Sequence, residues 1–170
     1  MADPALHLTD LPPCTRLILR GRATAIEAAT AALGFALPLQ PCRAVTEGER
    51  SALWLGPDEW LILAALSDPV AVALMQALQG HAHALIDVSH RQCAIELSGG
   101  AASDVLNAGC PLDLDAAEFP IGMCTRSVLA KSEIVLWRIG ADTFRVEVAR
   151  SFVPYVRGFL LEAARDYPAA

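Results

Sequence analysis

Long apolar runs are missing from this chain. A membrane helix needs ~20 apolar residues, and the densest stretch, Trp60–Leu66, is far too short. The opening residues, MADPALHLTD, lack a basic n-region and an apolar h-region, so no secretory signal is expected there. Charge is also sparse, at 19% of residues, with a formal net charge of −6. That balance argues against nucleic acid and against acidic membrane surfaces as partners. No Cys-x-x-Cys pair occurs. The five cysteines, Cys14, Cys42, Cys93, Cys110 and Cys124, are odd in number and scattered. They form neither a disulfide framework nor a zinc-ligand pattern, and reduced thiols in a cytoplasmic protein are the simplest account. No Gly/Ser-rich or Pro-rich linker separates two beads.

Apolar residues, in contrast, are abundant: 54% of the 170 residues, with a mean hydropathy of +0.40. A chain of this size hides roughly 70% of its unfolded surface and needs no staples. It fits one domain or two small, closely packed ones. Apolar content beyond the needs of a core calls for a permanent protein partner, because obligate interfaces resemble a core cut in half.

The chain repeats itself. LGPDEW (55–60) and IGADTF (139–144) align Gly56 with Gly140, Asp58 with Asp142 and Trp60 with Phe144, at an offset of 84 residues. The same offset carries Ser67 onto Ser151, each placed at the opening of a predicted helix. Upstream, RGRATAIEAATAALG (20–34) parallels SGGAASDVLNAGC (98–110) at an offset of 78, so one copy carries an insertion. The first copy reads as a strand RLILR (16–20) and a helix with a Thr24/Glu27 capping box, ended by Gly34. A hairpin over 52–65 follows, then a helix opened by Asp68-Pro69 and closed by Gly80, and a strand HALIDV (83–88). That order, β-α-β-β-α-β, is ferredoxin-like. The second copy offers CAIEL (93–97), a helix over 101–108, RSVLA (126–130), IVLWRI (134–139) and the alternating TFRVEV (143–148). It closes with an amphipathic helix over 151–167 that turns Val156, Phe159, Leu160 and Ala163 to one side. No strand follows, so the fourth strand of this copy must come from elsewhere. The expectation is an α+β fold: one compact domain, 1–170, of two intertwined ferredoxin-like pseudo-repeats, approximately 14–90 and 91–167.

No motif names a reaction. DVSHRQC (87–93) gathers Asp87, Ser89, His90, Arg91 and Cys93, the residue types of a nucleophilic triad. Triads assemble from distant segments, however, and a polar strand crossing or subunit contact is the simpler reading. HAH (81–83) offers two histidines on one face, without a third ligand. SGGAASDVL (98–106) places glycines at a strand-to-helix turn, suited to a tight turn or to an anion, but lacks the spacing and lysine of a phosphate loop. In NAGCPLDLD (107–115), Cys110 has no adjacent basic residue to lower its pKa, and Asp113 and Asp115 read as solvated carboxylates of a helix-stop loop. Trp54, Trp60 and Trp137 read as core or interface anchors. Asp58 and Glu59 sit at a hairpin tip, where Asp58 is expected to accept a local backbone hydrogen bond.

LWLGPDEWLIL (53–63) and the run from DVSHRQC through GCPLDL (109–114), TR (125–126) and LWRIGADTFRVEVARSF (136–152) together resemble the gamma subunit family of heterotetrameric sarcosine oxidase, chiefly over residues 50–165. The resemblance implies a fold like the folate-binding part of the glycine-cleavage aminomethyltransferase. It also implies a role as a non-catalytic subunit, packed with alpha, beta and delta subunits. The assembly would oxidise sarcosine to glycine, release hydrogen peroxide and pass the one-carbon unit to tetrahydrofolate. FAD, FMN, NAD, tetrahydrofolate and zinc are then expected on the partner subunits and none on this chain. Neither catalytic nor metal-binding residues carry over. The candidate structural or subunit-contact residues are Asp58, Glu59, Arg91, Cys110, Asp113 and Arg126, beside turn residues such as Gly56, Gly109 and Pro111. The rival is a free-standing folate- or one-carbon-binding protein, which requires a pocket of convergent polar groups.

Overall fold

The computed structural model describes residues 6–167. In chain order the elements are β1 (His7–Asp10), β2 (Thr15–Gly21), α1 (Thr24–Leu33), β3 (Ala44–Glu47), β4 (Arg50–Gly56) and β5 (Glu59–Ala64). They continue with α2 (Val70–Ala77), β6 (His83–Asp87), β7 (Gln92–Ser98), α3 (Ala102–Asn107) and β8 (Cys124–Leu129). The last are β9 (Ser132–Gly140), β10 (Thr143–Ala149) and α4 (Val153–Ala163), the final helix being preceded by a 3-10 turn over Arg150–Phe152. Among the described residues no helix is long and apolar enough to cross a membrane.

The chain divides into two compact units, Pro13–His90 and a discontinuous one made of the residues up to Pro12 together with those from Arg91 onward. Each holds one five-stranded antiparallel sheet, ordered β3-β4-β5-β2-β6 and β1-β7-β10-β9-β8. Removing the edge strands β3 and β8 leaves the same order twice, the ferredoxin-like split β-α-β arrangement. The missing fourth strand of the second copy is β1, which pairs antiparallel with β7, Leu8 opposite Leu97. β6 pairs with β2 in the same way, Leu85 opposite Leu19. HLTDL (7–11) is thus the counterpart of ALIDV (84–88), an equivalence present in the sequence but short enough to pass unnoticed.

Register confirms the two offsets. Leu19 faces Trp60 across β2 and β5, and Leu97 faces Phe144 across β7 and β10, matching 78 on one side and 84 on the other. Each sheet buries one face under its own helices. In the first unit Leu17, Leu19, Trp60 and Ile62 meet Ala29, Leu33, Val70 and Leu74. In the second, Ile95, Leu97, Phe144 and Val146 meet Val105, Leu106, Val156 and Leu160. Each such fully buried large side chain contributes roughly 1.5–3 kcal/mol.

Three local expectations are corrected. Thr24 and Glu27 form no capping box. Ala23 takes a positive φ of 43°, and α1 starts without a side-chain cap. The carbonyl of Ala23 already accepts the N–H of Glu27 at 3.2 Å, which occupies the donor a capping box would use, and Thr24 Oγ1 lies 3.0 Å from His81 Nδ1 instead. Ser67 and Ser151 are not equivalent. The buried positions of α2 and α4 correspond at an offset of 86 (70 to 156 and 74 to 160), so the second copy is two residues longer at the 3-10 turn. The strand β3, finally, forms where the sequence pattern predicts no element.

Candidate functional site

The two faces of the second sheet differ in chemistry. Strand alternation turns Gln92, Ala94 and Glu96 of β7 away from the helices, with Arg145, Glu147 and Ala149 of β10 opposite them. Glu133, Val135 and Trp137 of β9 and Arg126 and Val128 of β8 complete this face. It is not simply solvated. Glu147 is 2% exposed and accepts from Arg145, Nη2 to Oε1 at 2.7 Å and Nε to Oε1 at 2.8 Å. Burial of the carboxylate therefore proceeds with its counter-charge in place.

A hollow of about 620 Å³ lies along this face, lined among others by Arg91, Gln92, Arg126, Glu133, Val135 and Glu147. A smaller one of about 360 Å³ adjoins it, lined by Arg91, Lys131, Ser132, Glu133, Ala149, Ser151 and Phe152. The Oε1 of Gln92 is buried without a hydrogen-bond partner among the described residues. Neither lining contains a histidine or a cysteine. The chemistry on offer in these linings is that of cations, carboxylates, hydroxyls and one amide.

Of the six candidates, Arg91 and Arg126 come together here, on the rim of the larger hollow. The other four do not join them. In the first unit the Asp58 carboxylate faces Arg20 and Arg22, each Nη2 at 3.4 Å, rather than a backbone N–H of the turn. Its main-chain carbonyl accepts the N–H of Gly21. Glu59 lies 3.8 Å from Arg20 Nε. Such rim pairs are worth at most about 1 kcal/mol. Cys110 is a core residue, 3% exposed, with its Sγ 3.6 Å from Ser127 Oγ. Asp113 accepts the Asp115 N–H at 3.0 Å and Asp115 that of Ala117 at 2.8 Å. These two Asx turns lead the loop in to the buried Leu114 and Phe119.

The polar cluster 87–93 resolves into a strand junction. Ser89 Oγ accepts the Arg16 N–H at 2.8 Å, and the Asp87 carboxylate accepts the Ser89 N–H at 2.8 Å. Hydrogen bonding from Ser89 holds the Asp87 carboxyl below its usual range. His83 Nδ1 lies against the His81 carbonyl at 2.8 Å, and no three potential metal ligands converge among the described residues.

Two polar centres escaped the sequence reading. Arg138 is 5% exposed, bonds the carbonyls of Leu114, Phe119, Gly140 and Ala141, and stacks over Phe144 at 5.0 Å. Its signal was an arginine in the core phase of IVLWRI, two residues past Leu136. Arg50 clasps Asp68 in two bonds of 2.8 Å. It also donates to the Leu33 carbonyl at 3.0 Å, while Asp68 accepts the Val70 N–H at 2.9 Å. One ion pair thus closes the end of α1 and opens α2.

Comparison with known proteins agrees with this architecture. The model of the sarcosine oxidase gamma subunit family matches residues 20–166. The chain is 36% identical to the sarcosine oxidase subunit gamma of an Arthrobacter species over 82% of its length and 70% of that protein's. It is 31% identical to that of Corynebacterium sp. strain U-96, over 99% and 83%. A chain in the structure of heterotetrameric sarcosine oxidase from Corynebacterium sp. U-96, in complex with pyrrole 2-carboxylate, superposes with a TM-score of 0.93 at 30% identity, over 99% of this chain and 88% of that one. The glycine cleavage system aminomethyltransferase T of Bartonella henselae shares the fold, with a TM-score of 0.70 at 16% identity over 94% of this chain and 46% of its own. The chain belongs to the sarcosine oxidase gamma subunit family.

Proposed function

We propose that this chain is the non-catalytic gamma subunit of a heterotetrameric sarcosine oxidase, assembled with alpha, beta and delta subunits in the cytoplasm. The assembly demethylates sarcosine to glycine, reduces dioxygen to hydrogen peroxide and hands the one-carbon unit to tetrahydrofolate. FAD, FMN, NAD, tetrahydrofolate and zinc reside on the partners. The observation that carries this reading is the match along nearly the whole chain to a heterotetrameric sarcosine oxidase. Asp58, Glu59, Arg91, Cys110, Asp113 and Arg126 serve as structural or subunit-contact residues. Tagged chain captured from native extract is expected to bring down larger subunits, a flavin spectrum and sarcosine-dependent peroxide formation. A lone chain that binds folate at micromolar Kd, about −8 kcal/mol, would replace this reading with that of a free-standing folate-binding protein.

A further inference from the structure

At least six of the thirteen lysines and arginines of this acidic chain are paired internally. Arg20, Arg22, Arg50, Arg145, Arg157 and Arg165 each face a carboxylate. Three exposed ones, Arg91, Lys131 and Arg150, form no ion pair and no side-chain hydrogen bond among the described residues, and they cluster, with Glu133 lining the same hollow outside ion-pair distance. Arg91 and Lys131 line the same 360 Å³ hollow, and the Arg150 N–H donates to the Arg91 carbonyl at 2.8 Å. Phe152 lines the hollow as well and forms an edge-to-face pair with Tyr155 at 6.5 Å. The two rings are 45% and 41% exposed.

The geometry at this corner differs from its counterpart in the first unit. There the Arg50–Asp68 pair closes the helix start from within. In the second copy the two extra residues form the turn that carries Arg150, Ser151 and Phe152, and α4 begins without a side-chain cap, leaving the positive pole of the helix on the same side as the cations. Uncompensated cations beside exposed aromatics have the composition of an interface hot spot.

We infer that this corner docks an acidic segment of another subunit of the oxidase. Its carboxylates pair with Lys131 and Arg91, and an apolar side chain packs on Phe152 and Tyr155. The inference rests on the gamma-subunit reading and adds the face and the partner's chemistry.

Lys131 is the only lysine in the chain, which makes the test specific. The full chain is co-expressed with the subunits it assembles with, and the complex is purified through a tagged partner and acetylated with an amine-reactive ester. Peptide mass spectrometry should show Lys131 modified at least tenfold more slowly in the complex than in the isolated chain. A carbodiimide should condense the Lys131 amine with a carboxylate of a different subunit, as an amide with loss of water. The double charge reversal Arg91→Glu/Lys131→Glu, at exposed positions, should weaken assembly at least tenfold, with Arg165→Glu as a control that does not. Equal acetylation in complex and free chain, cross-linking to a second copy of this chain, or unimpaired assembly of the double variant overturns the docking site while leaving the subunit reading intact. Failure of the tagged partner to retain this chain at all overturns both.

Discussion

The backbone N–H of Gly21 donates to the carbonyl of Asp58 at 3.0 Å, and Gly99 makes the same bond to Asp142 at 3.0 Å. The two sequence offsets, 78 and 84, meet in this one contact, which ties the end of a first strand to the tip of a hairpin in both copies. Asp58 and Asp142 match in the repeat because their main chain is used twice at one position, whatever their carboxylates contact.

Gly21 is held by packing as well as by that bond. A Cβ there would stand 2.8 Å from the Ala25 Cβ, so Gly21→Ala must push α1 off the sheet. A loss of about 1–3 kcal/mol is expected, read as a lower urea midpoint at unchanged slope.

The Arg50–Asp68 pair predicts an acid-side dependence. Hydrogen bonding from Arg50 lowers the Asp68 carboxyl below its ordinary 3.8. A carboxyl depressed by folding contributes stability that is full above its unfolded value and is lost as pH falls through the lower folded one. Asp68→Asn should therefore cost about 2 kcal/mol near neutrality and flatten the fall in Tm on the acid side of 3.8. A variant whose acid profile parallels the parent's would refute the assignment.

Arg138 is expected to be the most sensitive single polar position. Arg138→Met leaves four loop carbonyls around a buried site without their donor. A loss of about 3–5 kcal/mol follows from breaking such a network, with proteolysis appearing first in the 108–122 loop. Arg138→Lys should recover only part of it, because a point charge cannot span the fork of contacts.

Two glycines separate close approach from mere flexibility. A Cβ on Gly109 would lie 2.6 Å from the Phe159 ring and 3.0 Å from the Ala130 backbone nitrogen, so Gly109→Ala should destabilise by about 1–3 kcal/mol. Gly158, inside α4, meets nothing within 4 Å. Gly158→Ala should stabilise by about 0.5–1 kcal/mol. Thermal melts of the two variants moving in the same direction would contradict the packing.

The sequence by itself determined the duplication, the α+β class and most elements, because these depend on short-range periodicity and on turn residues such as Gly34 and Gly80, both at positive φ. It also determined the family through GCPLDL and FRVEVARSF. Tertiary structure alone decided which strand completes the second sheet, since β1 is four residues of ordinary polarity whose only distinction is its long-range partner β7. It likewise decided the roles of the candidates. Arg91 and Arg126, 35 positions apart in sequence, line one hollow, Cys110 becomes core, and Asp58 pairs with arginines of a neighbouring strand end. Side-chain partners of this kind are set by sheet register and burial, which local pattern does not encode.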